Sequence, residues 1–180
     1  LKNIALNKTR IAFIDILKKM GGKIKIQKTK TVSGEVLGNI KVYYSSLKGI
    51  KIKSSYSPYL IDEYPILSIA ASQARGFTIM KGLSELRHKE SDRIKSITTN
   101  LHKLGFNVFS KQDDISIEGS KKIIITNKIK IRTYGDHRIA MSFEILNLLF
   151  QNKLAIDDES CISISYPDFK KHLKQLTKLS

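Results

Sequence analysis

Apolar residues recur three and four positions apart in three stretches of the chain, each led by an arginine. The first is Thr9-Arg10-Ile11-Ala12, running through Ile14, Leu17 and Met20 to Gly21-Gly22. The second is Asp92-Arg93-Ile94, running through Ile97, Leu101 and Leu104 to Gly105. The third is His137-Arg138-Ile139-Ala140, running through Phe143, Ile145 and Leu148. This spacing predicts three amphipathic helices, each with one buried face. Gly21 and Gly105 stand where a helix C-cap belongs, because glycine takes the left-handed backbone without a steric penalty. The recurrence reads as a weak internal repeat.

Strands are predicted where the period changes to two. Lys23-Ile24-Lys25-Ile26 and Phe106-Asn107-Val108-Phe109 alternate as half-buried strands do. Further strand-like runs cover 40–44, 50–53, 77–80, 115–118 and 129–132, with turns at Gly34, Gly38, Gly49 and Asp113-Asp114. A fourth helix is predicted over 64–74, stopped by Gly76, and a last one over 168–179, started by Pro167. Lys, Thr and Ser fill the outward strand positions. The chain therefore reads as mixed α/β, with helix–strand units and sheets that keep one wet face and pack the other on helices. No linker or low-complexity stretch divides it, so residues 1–180 are expected to form one domain.

Composition narrows the function classes. Hydrophobic residues make up 41% of 180, enough for a proper core. The most apolar helical stretch, 139–150, is broken by Glu144 and too short to cross a bilayer. The chain opens Leu1-Lys2-Asn3-Ile4, without Met or a signal-peptide layout, so a piece of a longer protein is expected. One cysteine, Cys161, allows neither an internal disulfide nor a thiolate zinc site, and a cytoplasmic setting follows as the default. The net charge of +16 invites an anionic partner. Most of the lysines are scattered, however, and scattered charge is normally a solvated surface.

Four short clusters carry candidate chemistry. Ile61-Asp62-Glu63-Tyr64-Pro65 precedes a helix, where Asp62 serves as a cap or first-turn acid. In Arg87-His88-Lys89-Glu90-Ser91-Asp92-Arg93, Lys89 and Glu90 lie four and three positions before Arg93. Helical spacing would put them on one face, either as exposed ion pairs or as a carboxylate set between cations for proton transfer beside an anion. Thr133-Tyr134-Gly135-Asp136-His137-Arg138 sits at a strand-to-helix junction, either a capped turn or an anion site. The fourth, residues 161–169, reads as a strand, a turn and a helix start around Ser165-Tyr166-Pro167-Asp168-Phe169.

In this order and spacing the clusters resemble the EPSP synthase (3-phosphoshikimate 1-carboxyvinyltransferase) family. The matching elements are Asp-Glu-x-Pro, Leu-Arg-x-Lys-Glu-Ser-Asp-Arg, Asp-His-Arg-Ile-Ala-Met and a terminal Ser-aromatic-Pro, with Leu6-Asn7-Lys8-Thr9-Arg10 at the opening. The resemblance implies an inside-out α/β barrel of the enolpyruvyl transferase type. It also implies transfer of the enolpyruvyl group of phosphoenolpyruvate to the 5-hydroxyl of shikimate 3-phosphate, by addition and then elimination, with no metal or organic cofactor. Asp62 corresponds to the carboxylate that contacts the shikimate hydroxyls and is a candidate base, and Glu90 to the one that handles the proton at the methylene carbon. Lys89 corresponds to a cation at the shikimate end. Arg93 and Arg138 correspond to the grip on phosphoenolpyruvate, with His137 beside it. Ile164 stands where some members carry a lysine, so no cation is assigned there. The family's other domain, with its own half of the cleft, lies outside this sequence, and the chain alone is expected to be inactive. The complete enzyme is expected to be a cytoplasmic monomer.

Two rivals follow. The sister family, UDP-N-acetylglucosamine enolpyruvyl transferase, shares the arginine pattern but lacks the Lys-Glu-Ser-Asp-Arg run. A basic nucleic-acid-binding module would suit the charge, yet the chain has no Gly-x-x-Gly clamp and no RNP-like aromatic strand. Nucleic acid and membrane are therefore not expected partners. The histidines His88, His102, His137 and His172 show no metal-ligand spacing.

Overall fold

In the computed structural model the described residues are 1–7, 9–119, 123–151 and 153–177. The chain begins with β1 (Ile4–Ala5), α1 (Ala12–Lys19) and a hairpin of β2 (Lys23–Val32) and β3 (Glu35–Tyr43). Next come β4 (Lys51–Ile52), α2 (Ser57–Leu60), α3 (Tyr64–Ser72), β5 (Gly76–Met80), α4 (Arg93–Lys103) and a second hairpin of β6 (Asn107–Lys111) and β7 (Asp114–Gly119). It continues through β8 (Ile129–Ile131), α5 (His137–Asn147), β9 (Leu154–Ile156), α6 (Ser160–Ser165) and α7 (Phe169–Thr177). No helix of the described residues is long and apolar enough to cross a membrane.

The sheets expose the repeat. One has the order β4-β5-β7-β6, another β1-β3-β2, and the third pairs β8 with β9. In the first, β4 and β5 run parallel around α3, and α4 leads into an antiparallel hairpin that closes back on β5. The second repeats the later part, with β1, α1 and the β2–β3 hairpin in place of β5, α4 and β6–β7. The third repeats the earlier part, with β8, α5 and β9 in place of β4, α3 and β5. This topology corrects the repeat read from the arginine-led helices. α1 and α4 are equivalent, but α5 corresponds to α3.

The helices end as their glycines predict. Gly105 donates its N–H to His102 and Phe106 to Leu101, while Gly21 and Gly22 do the same to Lys18 and Leu17. Both pairs form the double bond of a Schellman cap. α3 is buried on nearly all sides, and its Ser68 and Ser72 hydroxyls donate to the helix's own carbonyls at 2.8 Å. It packs beside Ile139, Phe143 and Leu146 of α5, while Val108, Ile115 and Ile117 point inward from the hairpin. Helices thus fill the interior and sheets cover it. Gly49 shows how closely the parts approach. A Cβ there would lie 2.1 Å from the Phe77 carbonyl oxygen. Gly49→Ala should therefore part β4 from β5 and lower the urea midpoint by the equivalent of about 1–3 kcal/mol, the cost of overpacking. An unchanged midpoint would contradict that packing.

Several predicted boundaries shift. β2 continues past Ile26 to Val32 with polar residues on both faces, because β3 pairs along its length, with a register shift between Lys28 and Lys30. The pattern of 161–165 suggested a strand, yet this segment lies in α6. Asp158 accepts the N–H and hydroxyl of Ser160 at 2.9 and 2.6 Å in the turn that leads into this helix. The predicted final helix spans Phe169–Thr177, and its last two expected residues fall outside the described residues. α2, β9 and the 3-10 turn Ser84–His88 carried too few residues to register as periodic.

Candidate active site

Arg93 organises the site. It opens α4, one residue after Asp92, whose carboxylate caps the helix by accepting the Lys95 N–H at 3.0 Å. The Arg93 side chain is 1% exposed, and a guanidinium that deep needs acceptors on every side. It donates Nε to Asp136 Oδ2 at 2.8 Å, Nη1 to Asp62 Oδ1 at 3.2 Å and Nη2 to Glu90 Oε2 at 2.6 Å. Burial opposes its charge, but the hydrogen bond and charge of Asp136, helped by Glu90 and Asp62, hold its pKa above the ordinary arginine value.

Asp136 joins two helix starts. Its Oδ1 caps α5, accepting from Arg138 N at 2.9 Å and Ile139 N at 3.4 Å. Its Oδ2 receives Arg93 and the Ser91 hydroxyl, the latter at 3.1 Å. The turn before it is fixed from β9's far end. Asp157 accepts both the N–H and the hydroxyl of Thr133, at 2.9 and 2.7 Å. Gly135 turns the chain with φ of 72°.

Asp62 bridges the two arginines. Arg138 Nη2 lies 3.2 Å from Asp62 Oδ2, and Nη1 donates to the Asp62 carbonyl at 3.1 Å. This overturns the reading of Asp62 as a cap, since the residue before α3 is Glu63 and no side chain caps that helix. Burial raises the Glu63 carboxyl above its ordinary value, opposed by Arg138 and reinforced by Asp62. Beyond Asp62 and Arg138 opens a cavity of about 240 Å³, lined by Ile66, Met141, Tyr166 and Phe169 among others.

Four of the predicted residues, Asp62, Glu90, Arg93 and Arg138, therefore meet in one ion network. Glu90 meets Arg93 from a bend rather than along a helix face, because α4 begins only at Arg93. Lys89 is exposed and His137 half-buried beside this network. Among the described residues neither makes an ion pair. Ile164 is exposed on α6, outside it. Asp136 was legible as a cap but not as a partner of Arg93, Ser91 was legible only as a member of its motif, and Asp157 gave no signal at all.

Known proteins are similar to this chain in sequence and in fold. The 3-phosphoshikimate 1-carboxyvinyltransferase of Petrotoga mobilis is 43% identical over 179 residues, which cover 99% of this chain and 41% of the relative. That of Clostridium tetani is 41% identical over 180 residues, covering 100% and 41%. A solved EPSP synthase from Acinetobacter baumannii superposes with a TM-score of 0.86 at 34% identity, over 97% of this chain and 40% of that one. The enolpyruvyl transferase NikO from Streptomyces tendae shares the fold, with a TM-score of 0.56 at 15% identity over 92% of this chain and 34% of that one. The fold is thus of the enolpyruvyl transferase type. The family model for EPSP synthase (3-phosphoshikimate 1-carboxyvinyltransferase) matches residues 1–173, and the chain belongs to that family. It spans about two fifths of the length of the curated relatives it matches.

Proposed function

We propose that this chain is most of the C-terminal domain of an enzyme that transfers the enolpyruvyl group of phosphoenolpyruvate to the 5-hydroxyl of shikimate 3-phosphate. The observation that carries the proposal is the buried arginine beside a second, accessible one, with their terminal nitrogens held by carboxylates that are themselves partly exposed. Asp136 fixes Arg93 at Nε from inside. Asp62, 26% exposed, and Glu90, 48% exposed, hold its outer edge. A planar guanidinium suits a carboxylate, and two arginines fix one in orientation as well as in charge. The phosphoenolpyruvate carboxylate replaces Glu90 and Asp62 on that edge, and both acids are released to face the reactants.

The chemistry then needs protons moved at two atoms, the acceptor oxygen and C3. In the addition, the acceptor hydroxyl gives its proton to Asp62 as its oxygen bonds to C2 of phosphoenolpyruvate. Glu90 delivers a proton to C3, which becomes a methyl group. In the elimination, phosphate leaves C2 with the proton that Asp62 took from the hydroxyl, and a methyl proton returns to Glu90, restoring the double bond. Two carboxylates in separate surroundings suit these separate tasks. Lys89 and His137 sit beside the network to neutralise substrate charge. The remaining part of the cleft comes from upstream sequence, which supplies the other domain. The complete enzyme acts as a cytoplasmic monomer without a cofactor.

Phosphate release tests the assignment. With its upstream sequence, the protein should release phosphate from phosphoenolpyruvate in the presence of shikimate 3-phosphate and not with UDP-N-acetylglucosamine. Release with the UDP-sugar alone would move it to the sister reaction. Residues 1–180 alone should turn over neither.

A further inference from the structure

We infer that Arg87 is a positioning residue, which fixes the strap of residues 88–91, and with it Lys89 and Glu90, in front of Arg93. The strap lies between the 3-10 turn Ser84–His88 and the start of α4. Among the described residues, no turn or loop hydrogen bond of the backbone runs from Lys89, Glu90 or Ser91. Side chains hold it instead. Ser91 fastens its far end to Asp136, and Arg87 fastens the near end.

The Arg87 guanidinium divides its nitrogens between two parts of the fold. Nη1 donates to Asp92 Oδ2 at 3.2 Å, Nε to Asp113 Oδ1 at 3.2 Å, and Nη2 to the Gln112 carbonyl. Asp92 is the cap of α4, so this bond closes the strap into a loop from end to end. Gln112 and Asp113 form the β6–β7 turn, which is already tied to the same segment. The Asp113 carbonyl accepts the Leu83 N–H at 2.7 Å, and Asp114 accepts the Gly82 N–H at 3.0 Å. Arg87 therefore locks the strap to a rigid hairpin on one side and a helix start on the other. Only a planar fork reaches three acceptors in three directions, whereas a lysine ammonium would satisfy one of these at a time.

The site is built for placement more than for stability. The Arg87 side chain is 35% exposed and Asp92 and Asp113 are 34% and 45% exposed, a setting in which ion pairs contribute little to folding. A displaced Glu90 matters far more, because a shift of about 1 Å at a reacting group can cost about a hundredfold in rate. That kinetic consequence rests on the proposed transfer reaction, while the geometric role of Arg87 does not.

Arg87→Ala, Arg87→Lys and Asp113→Asn in the protein carrying its upstream sequence separate the two. Cleavage after Lys89 by a lysine-specific protease reads the strap directly. It should rise about tenfold in Arg87→Ala, with the urea midpoint and cleavage elsewhere nearly unchanged. Phosphate release should show kcat reduced about tenfold to a hundredfold, within the range that misplacement produces. KM for phosphoenolpyruvate should change less than about threefold, because Arg93 and Arg138 keep their places. Lysine should not rescue, and Asp113→Asn should fall between wild type and Arg87→Ala. Unchanged cleavage after Lys89, or full activity in Arg87→Lys, would overturn the proposal. If the unsubstituted protein releases no phosphate with either acceptor, the transfer reaction fails as a reading, and the cleavage result still decides the role of Arg87.

Discussion

Replacing Asp136 with alanine should destabilise the protein more than any other single change at the site. The substitution leaves the Arg93 guanidinium buried without its innermost partner, and breaking one side of a buried ion pair costs about 3–5 kcal/mol. Both side chains lie essentially out of solvent, so screening offers no relief. The same change removes the cap of α5, worth about 1 kcal/mol more. Asp136→Asn keeps an oxygen for the cap but no charge for Arg93, and should fall between alanine and wild type. Urea titration of the three forms measures this order. An alanine variant with the wild-type midpoint would mean that Arg93 finds its compensation elsewhere.

Glu90→Gln should do the reverse, leaving the fold intact and stopping the chemistry. Glu90 is half exposed, and its pair with Arg93 should contribute less than about 1 kcal/mol to stability. Its proposed task is to move a proton at the methylene carbon, and losing a general acid–base group costs about 10²–10⁴-fold in rate. The loss should appear in kcat without a rise in KM for phosphoenolpyruvate, since Glu90 competes with that substrate's carboxylate for Arg93. Steady-state phosphate release in the complete protein gives both constants. Retention of more than about a tenth of the wild-type kcat would remove Glu90 from the proton-transfer role.

The contrast between these two acids marks what the sequence could and could not say. Asp136 was visible as a helix cap, because a cap is a local matter of one side chain and the next three N–H groups. Glu90 and Arg93 are three positions apart and were paired in advance, although by the wrong route, since a bend brings them together. The contact from Arg93 to Asp136, across 43 positions, has no local signature. It depends on two helix starts converging from different units of the repeat. Asp62 shows the same limit. Locally it resembled a cap, and only the approach of α4 and α5 makes it a bridge between Arg93 and Arg138. The α6 segment failed for another reason. Ile162 and Ile164 alternate with serines as in a strand, but the segment is helical, burying Ile162 and exposing Ile164. Periodicity over five residues is too short to fix the period as that of a strand. What was legible in full was the order of the clusters, and that order carried the family resemblance.

The proposed transfer requires the phosphoenolpyruvate carboxylate to bind at the outer edge of Arg93, closed here by Glu90 and Asp62. The direct measurement is a crystal structure of the complete protein with phosphoenolpyruvate and a shikimate 3-phosphate analogue lacking the 5-hydroxyl, which cannot react. The carboxylate should lie on Arg93 Nη1 and Nη2 and on Arg138, with Asp136 still on Nε and Glu90 turned toward the methylene carbon. A carboxylate bound elsewhere, with Glu90 and Asp62 still closed on Arg93, would contradict it.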